Sequence, residues 1–218
     1  MSTAARLAEL LEQTAPPPEV EVRHLPVPDA LTTLLSDGLR CGTAVEAPDP
    51  HLLLALAGAA APLDWHAAIG LPEIHWAAGE PYGLRLEQLL LVDGPGPRWP
   101  DVVATLIPDV ATILLGPVPR PEPRVTKRLA ALLRRHGTVL ISAGMWPGSA
   151  LRLGVSEPQW SGLGSGHGLL AGREVTITVT GRGGITQARS ARVWLPDGRG
   201  ELCAVDTAGA TLDLAAAI

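Results

Sequence analysis

A chain of 218 residues, 46% hydrophobic and 18% charged with a mean hydropathy of +0.22, is long enough for one packed domain and too apolar to stay unfolded. Its 24 Gly and 21 Pro follow no three-residue period, which excludes a collagen-like chain. The longest apolar run, Leu52 to Leu63, covers twelve residues, short of the roughly 20 that a membrane-spanning helix needs. No basic-then-apolar leader opens the chain, so a cytoplasmic protein without membrane contact is expected. Two cysteines, Cys41 and Cys203, supply neither a disulfide framework nor a metal set.

The net charge of −5 hides an asymmetry. Residues 1–119 carry 5 basic and 15 acidic side chains, whereas residues 120–199 carry 12 basic and 4 acidic ones. A protein acidic overall is not steered to nucleic acid as a whole, but one basic face can be. The alternative is that the two halves attract each other or a neighbouring molecule.

In chain order, Leu7, Leu10 and Leu11 space a short helix over Ala4 to Gln13, and Pro16, Pro17 and Pro18 end it in a stiff linker. Asp29 can cap a second short helix bearing Leu31, Leu34 and Leu35, closed by Gly38. Strands and helices then alternate: strand 42–47, helix 51–61, strand 65–69, a helical turn or two over 73–78, strand 89–92, helix 99–107, strand 110–115, helix 125–136 and strand 139–142. The strands are continuously apolar, which predicts a mainly parallel sheet covered by helices on both faces. After Gly144 the pattern changes to strands over 151–155, 174–180 and 191–195, separated by glycine-rich turns. These read as antiparallel additions to one sheet edge. Residues 199–218 show little patterning and are expected to be a mobile tail. The domain reading is therefore a helix and linker over 1–24, an α/β domain over 25–198 and a tail over 199–218.

An α/β domain of this order invites a phosphate loop after its first core strand. That position reads Pro48, Asp49, Pro50, His51, Leu52, without the glycines, Lys and Ser/Thr that cradle phosphate and Mg²⁺. At the end of strand 110–115, where an Asp would hold a Mg²⁺ water, the chain has Gly116. ATP hydrolysis is not expected there. Gly166 to Ala171 matches a dinucleotide fingerprint only formally, because no helix follows it. Ser165 lacks the G-x-S-x-G spacing of a nucleophile elbow, because Leu163 and His167 stand where its glycines should be. His51, His66 and His75 have no metal-ligand spacing. No catalytic residue, cofactor or metal is expected.

What is left is surface. Arg120, Arg124, Lys127, Arg128, Arg134 and Arg135, with His136, lie on or just before the helix 125–136. They suit DNA phosphates or an acidic partner segment, or alternatively a solvated face whose last cations complement the helix dipole. Trp146, Trp160 and Trp194 read as core anchors, one of which can serve as an interface hot spot if exposed.

The passages Gly38 to Glu46, His66 to Gly70, Tyr82 to Leu84 with Gln88 to Val92, and Asp109 to Leu115 resemble successive parts of the RecA core. More closely, Leu89 to Val92 with Arg98-Trp99-Pro100, Trp146-Pro147-Gly148, Trp160 to Gly168 and Arg192 to Pro196 resemble the actinobacterial ImuA-type proteins, RecA-like domains without the nucleotide motifs. The resemblance implies a degenerate RecA-like α/β fold. It further implies a non-catalytic accessory role in damage-induced mutagenesis, the translesion synthesis of the SOS response. The implied partner is an ImuB-like Y-family polymerase relative. Through it come an error-prone replicative-type polymerase and the sliding clamp, with at most weak DNA contact. The carboxyl-terminal third, backed by the basic helix, is the expected partner surface. Two other readings stay open: a division inhibitor of the SulA type, and an enzyme with an atypical nucleotide pocket at the carboxyl ends of the strands.

Overall fold

The computed structural model describes residues 22–60, 64–164, 167–181 and 187–205. The helix expected over 4–13, the linker at 16–18, and the tail beyond 205 lie outside the described residues.

The chain enters through a small antiparallel pair, β1 (His24–Leu25) and β2 (Leu39–Arg40). Between them lies a single 3-10 turn, Asp29–Leu31, rather than a helix capped by Asp29. Pro28 occupies the cap position. The Thr32 hydroxyl donates to the Asp29 carbonyl at 2.7 Å, a local bond that competes with helix propagation. Leu25, Leu31, Leu34, Leu35 and Leu39 are nonetheless buried, so this flap still contributes a hydrophobic wall.

The core strands are β3 (Ala44–Glu46), β4 (His66–Ile69), β5 (Leu89–Val92), β6 (Thr112–Leu115) and β7 (Val139–Ser142). With β8 (Leu151–Gly164), β9 (His167–Gly181), β10 (Arg189–Trp194) and β11 (Cys203–Ala204) they form a sheet in the order β11-β10-β9-β8-β3-β7-β6-β4-β5. The pairings from β8 through β5 are all parallel, and those from β8 outward to β11 are antiparallel. This is the expected α/β architecture, a mainly parallel RecA-like core with antiparallel strands at one edge.

Both faces of the parallel sheet are covered because its strands are apolar at successive positions. Val139 and Ile141 point into one core with Leu114, while Leu140, Ile113 and Leu115 point into the other. The first core takes α1 (Pro50–Gly58), whose residues Leu52 to Ala57 are all buried. An apolar helix of this kind needs a cover on its outer side, and the 3-10 segment Trp76–Tyr82 provides it. A Cβ at Gly58 would overlap the Tyr82 carbonyl, so the two backbones pass in direct contact. The second core takes α2 (Trp99–Leu106) and α3 (Pro123–His136), with Trp99 and Trp146 packed edge to face at 6.1 Å. α3 ends at Gly137, whose φ of +78° is the left-handed conformation that closes helices.

The antiparallel strands bury one side only. Val175, Ile177 and Val179 face the first core, and the threonines between them face outward. β8 and β9 run much further than the expected 151–155 and 174–180, forming a long hairpin with register shifts at Ser156/Gln159 and Ser161/Leu163. Residues 203–204, assigned from sequence to a mobile tail, instead pair with Val193 and Trp194 as an edge strand.

Candidate functional site

Open α/β sheets bind ligands beyond the carboxyl ends of their strands, so the β3–α1 junction is the first place to look. Asp49 has an extended backbone and caps α1, its Oδ1 accepting the Leu52 N–H at 3.1 Å. A helix start offers unpaired N–H groups and the positive end of the dipole, which is why phosphate binds there in nucleotide-binding relatives of this fold class. Here a carboxylate of the chain itself takes that place.

A second group locks it. Arg173, on β9, holds Asp49 with Nη2 at 2.9 Å from Oδ2 and 3.0 Å from Oδ1. The two side chains are only 13% and 12% exposed. The Arg173 Nε–H donates to the Leu195 carbonyl at 2.6 Å, and its guanidinium lies 5.7 Å from the Trp160 ring centroid. One arginine thus ties together the helix start, the antiparallel edge and an indole that is otherwise 52% exposed. Beside it, His51 Nδ1 meets the Tyr82 hydroxyl at 3.1 Å. Burial lowers the His51 pKa, with Arg173 adding to the effect and Asp49 opposing it, so the imidazole is held neutral. Burial likewise pushes the Tyr82 phenol up, which keeps it protonated.

The other end-of-strand positions are equally closed. Glu46, 4% exposed, accepts bonds from the Trp146 N–H (2.9 Å), Ser149 Oγ (2.9 Å) and Arg152 Nε (2.6 Å). Burial alone would raise its pKa, but these three donors outweigh that and hold the carboxyl below its usual range. The carboxylate therefore anchors the 143–150 crossover against β3. At Gly116 a Cβ would overlap the Gly70 carbonyl, so this position packs β6 against the turn after β4 and has no room for a side chain reaching toward a metal. Among the described residues no group of three or more His, Cys, Asp or Glu is placed to hold a metal ion.

Pro48 and Pro50 are exposed, Asp49 and His51 half-buried, and Leu52 fully buried. The six predicted cations are all exposed but do not form one patch. Arg128 is paired with Asp101 of α2 at 3.1 Å. Arg120 precedes the helix, and Arg124 and Lys127 sit in its first half, roughly 16 Å and roughly 12 Å along the axis from Arg135 at about 1.5 Å rise per residue. Arg134, Arg135 and His136 are instead gathered with Arg23 and Arg40 around a groove of about 640 Å³. Sequence reasoning missed Arg173, Arg23 and Arg40, because strand pairing and the β1–β2 flap bring them in from far along the chain. The only hint was Asp49, a carboxylate at an apolar helix start that needs a distant cation.

The charge asymmetry also finds its use. The pairs Arg128–Asp101, Arg152–Glu46 and Arg173–Asp49 each join the basic segment 120–199 to the acidic segment 1–119.

The parallel core, the β3–α1 junction and the antiparallel edge define a RecA-like α/β domain whose phosphate position is filled by its own Asp49 and Arg173. Over residues 33–148 the sequence matches the model of the MT3502 N-terminal domain, and the chain belongs to that family. No curated protein matches it. Among solved structures it is similar to SulA from Pseudomonas aeruginosa, at 15% identity and a TM-score of 0.37, over 47% of this chain and 97% of that one. It is also similar to the flagellar accessory protein FlaH from Methanocaldococcus jannaschii, at 8% identity and a TM-score of 0.47, over 80% of this chain and 94% of that one.

Proposed function

We propose that this protein is a non-catalytic accessory factor that works by binding other proteins, in the cytoplasm, during damage-induced mutagenesis. Its partner in this reading is an ImuB-like Y-family polymerase relative, through which it joins an error-prone replicative-type polymerase and the sliding clamp in translesion synthesis. The observation that carries the non-catalytic part is the Asp49–Arg173 pair at the start of α1. A phosphate entering there would have to displace a capping carboxylate that is ion-paired away from most of the solvent. The choice of pathway is supported by the ImuA-type passages. Two of them, Arg98-Trp99-Pro100 and Trp146-Pro147-Gly148, supply the two indoles that pack together in the second core.

The test is co-expression with the cognate ImuB-like protein, followed by pull-down across a salt series. A complex that survives about 0.5 M salt supports the reading and an interface not carried by exposed charge; one lost by about 0.2 M places the contact on exposed cations. With both proteins folded, absence of a complex at any salt removes this partner, and filamentation on overexpression then tests the division-inhibitor reading.

A further inference from the structure

The groove around the end of α3 lies at the amino ends of the strands, away from the closed junction. It is lined by Arg134, Arg135 and His136 from the last turn of α3 on one side and by Arg23 and Arg40 of the β1–β2 flap on the other. The floor is apolar, formed by the buried residues Ala44, Leu133 and Trp146. Gly42 lets the walls approach: its φ is +78°, and a Cβ there would stand 2.9 Å from the Arg134 Cα. Among the described residues no acidic side chain lines the groove. Among the described residues, none of the four arginines has a carboxylate within ion-pair distance, unlike Arg128, Arg152, Arg173 and Arg192. Asp64 and Asp109 line only the smaller adjoining hollow of about 250 Å³.

We propose that this groove is a docking site for an acidic peptide segment of a partner protein, one that alternates carboxylates with aliphatic side chains. Uncompensated cations on both walls call for negative charge on the ligand, and the apolar floor calls for aliphatic groups between the charges. Single-stranded nucleic acid fits less well. Among the described residues the groove has a single indole, Trp146, which is 4% exposed, so the imidazole of His136 is its one accessible aromatic ring, fewer than the successive stacking platforms single strands use. A net charge of −5 also opposes a long polyanion beyond the groove itself. The inference deepens the protein-binding reading and rests on it only for the class of ligand.

The experiment uses the full chain and a fluorescein-labelled peptide of about twelve residues built from Glu-Leu-Asp repeats, with oligothymidylate as the competing probe. Cys41 lines the groove, so its protection from alkylation reports occupancy at that place. Expected are peptide binding at about 50 mM salt, weakening steeply by about 300 mM, and slowed alkylation of Cys41. Arg40→Glu with Arg135→Glu should weaken binding by about tenfold or more, while Arg85→Glu with Arg199→Glu, the same charge change elsewhere, leaves it unaltered. All four positions are exposed, so folding is not at stake. No peptide binding at low salt overturns the proposal. So does binding that the groove pair of substitutions leaves intact, or tighter binding of oligothymidylate with protection of Cys41. An ImuB-like partner captured in the pull-down while the peptide fails removes the groove and keeps the accessory role. The converse result keeps the groove and removes that partner.

Discussion

Arg173 is the residue on which most of the carboxyl-end geometry depends. Truncating one member of a poorly solvated ion pair leaves the other charge uncompensated, so Arg173→Ala should lower unfolding stability by about 3–5 kcal/mol in urea titrations. Asp49→Ala should cost a comparable amount, since it removes the pair and also the α1 cap, itself worth about 1 kcal/mol. In a double-mutant cycle the two changes should be strongly non-additive; additivity would show that the pair is not a unit. His66 contributes a pH dependence. It is 4% exposed, its Nδ1 lies 2.6 Å from Thr112 Oγ1, and burial lowers its pKa from 6.5. The unfolded chain then binds the proton more readily than the fold does. Stability is full above the unfolded value and falls as the pH drops through it. The melting temperature should decline on acidification from about pH 7 to 5, with a shallower slope in His66→Gln. An unchanged slope would assign the effect to other groups, among them His51, whose shift has the same sign.

Among the elements, the central strands were the most legible from sequence. β5 and β7 fall on the predicted residues, because continuous apolar runs between turn signals leave a strand little latitude. The β8–β9 hairpin was read too short. Past Val155 the apolar residues of β8 are only Trp160 and Leu163, both exposed, and Glu157 stands at φ +54°, so the stretch has no regular alternation to recognise. Its ladder is set by cross-strand pairing, with Arg173 fixed at its middle by Asp49 and Leu195. Packing between elements leaves no room for a Cβ at Gly116, on the turn between β6 and Pro117. Gly116→Ala should destabilise by about 1–3 kcal/mol, because the new methyl group would force the ends of β4 and β6 apart. A neutral result would mean that the β4 turn yields at little cost.

For the molecule as a whole, the electrostatic asymmetry is consumed in part by folding and left over in part at one place. Three ion pairs stitch the basic segment to the acidic one, while Arg23, Arg40, Arg134 and Arg135 collect around a groove with no carboxylate of the described residues in ion-pair distance. The same accounting separates the two ends of the sheet: among the described residues the carboxyl end is neutralised internally, and the amino end gathers arginines without a carboxylate in ion-pair distance. Mg-ATP at about 1 mM should therefore leave the melting temperature unchanged, since only a ligand bound to the native state raises it. A clear rise would reopen the atypical nucleotide pocket.

The sequence by itself determined the α/β class, the parallel core with its antiparallel edge, and the absence of a phosphate loop at Pro48 to Leu52. Each of these is written in local periodicity or in the chemistry of a few adjacent residues. Only the tertiary structure decided which cations are spent and which are available. Arg128 and Arg135, seven residues apart, fall within about 20° of each other on a helical wheel, yet one is neutralised by Asp101 of α2 and the other lines a groove completed by the β1–β2 flap. Ion pairing depends on distances of a few ångströms between segments far apart in the chain, and no spacing along the sequence encodes those distances.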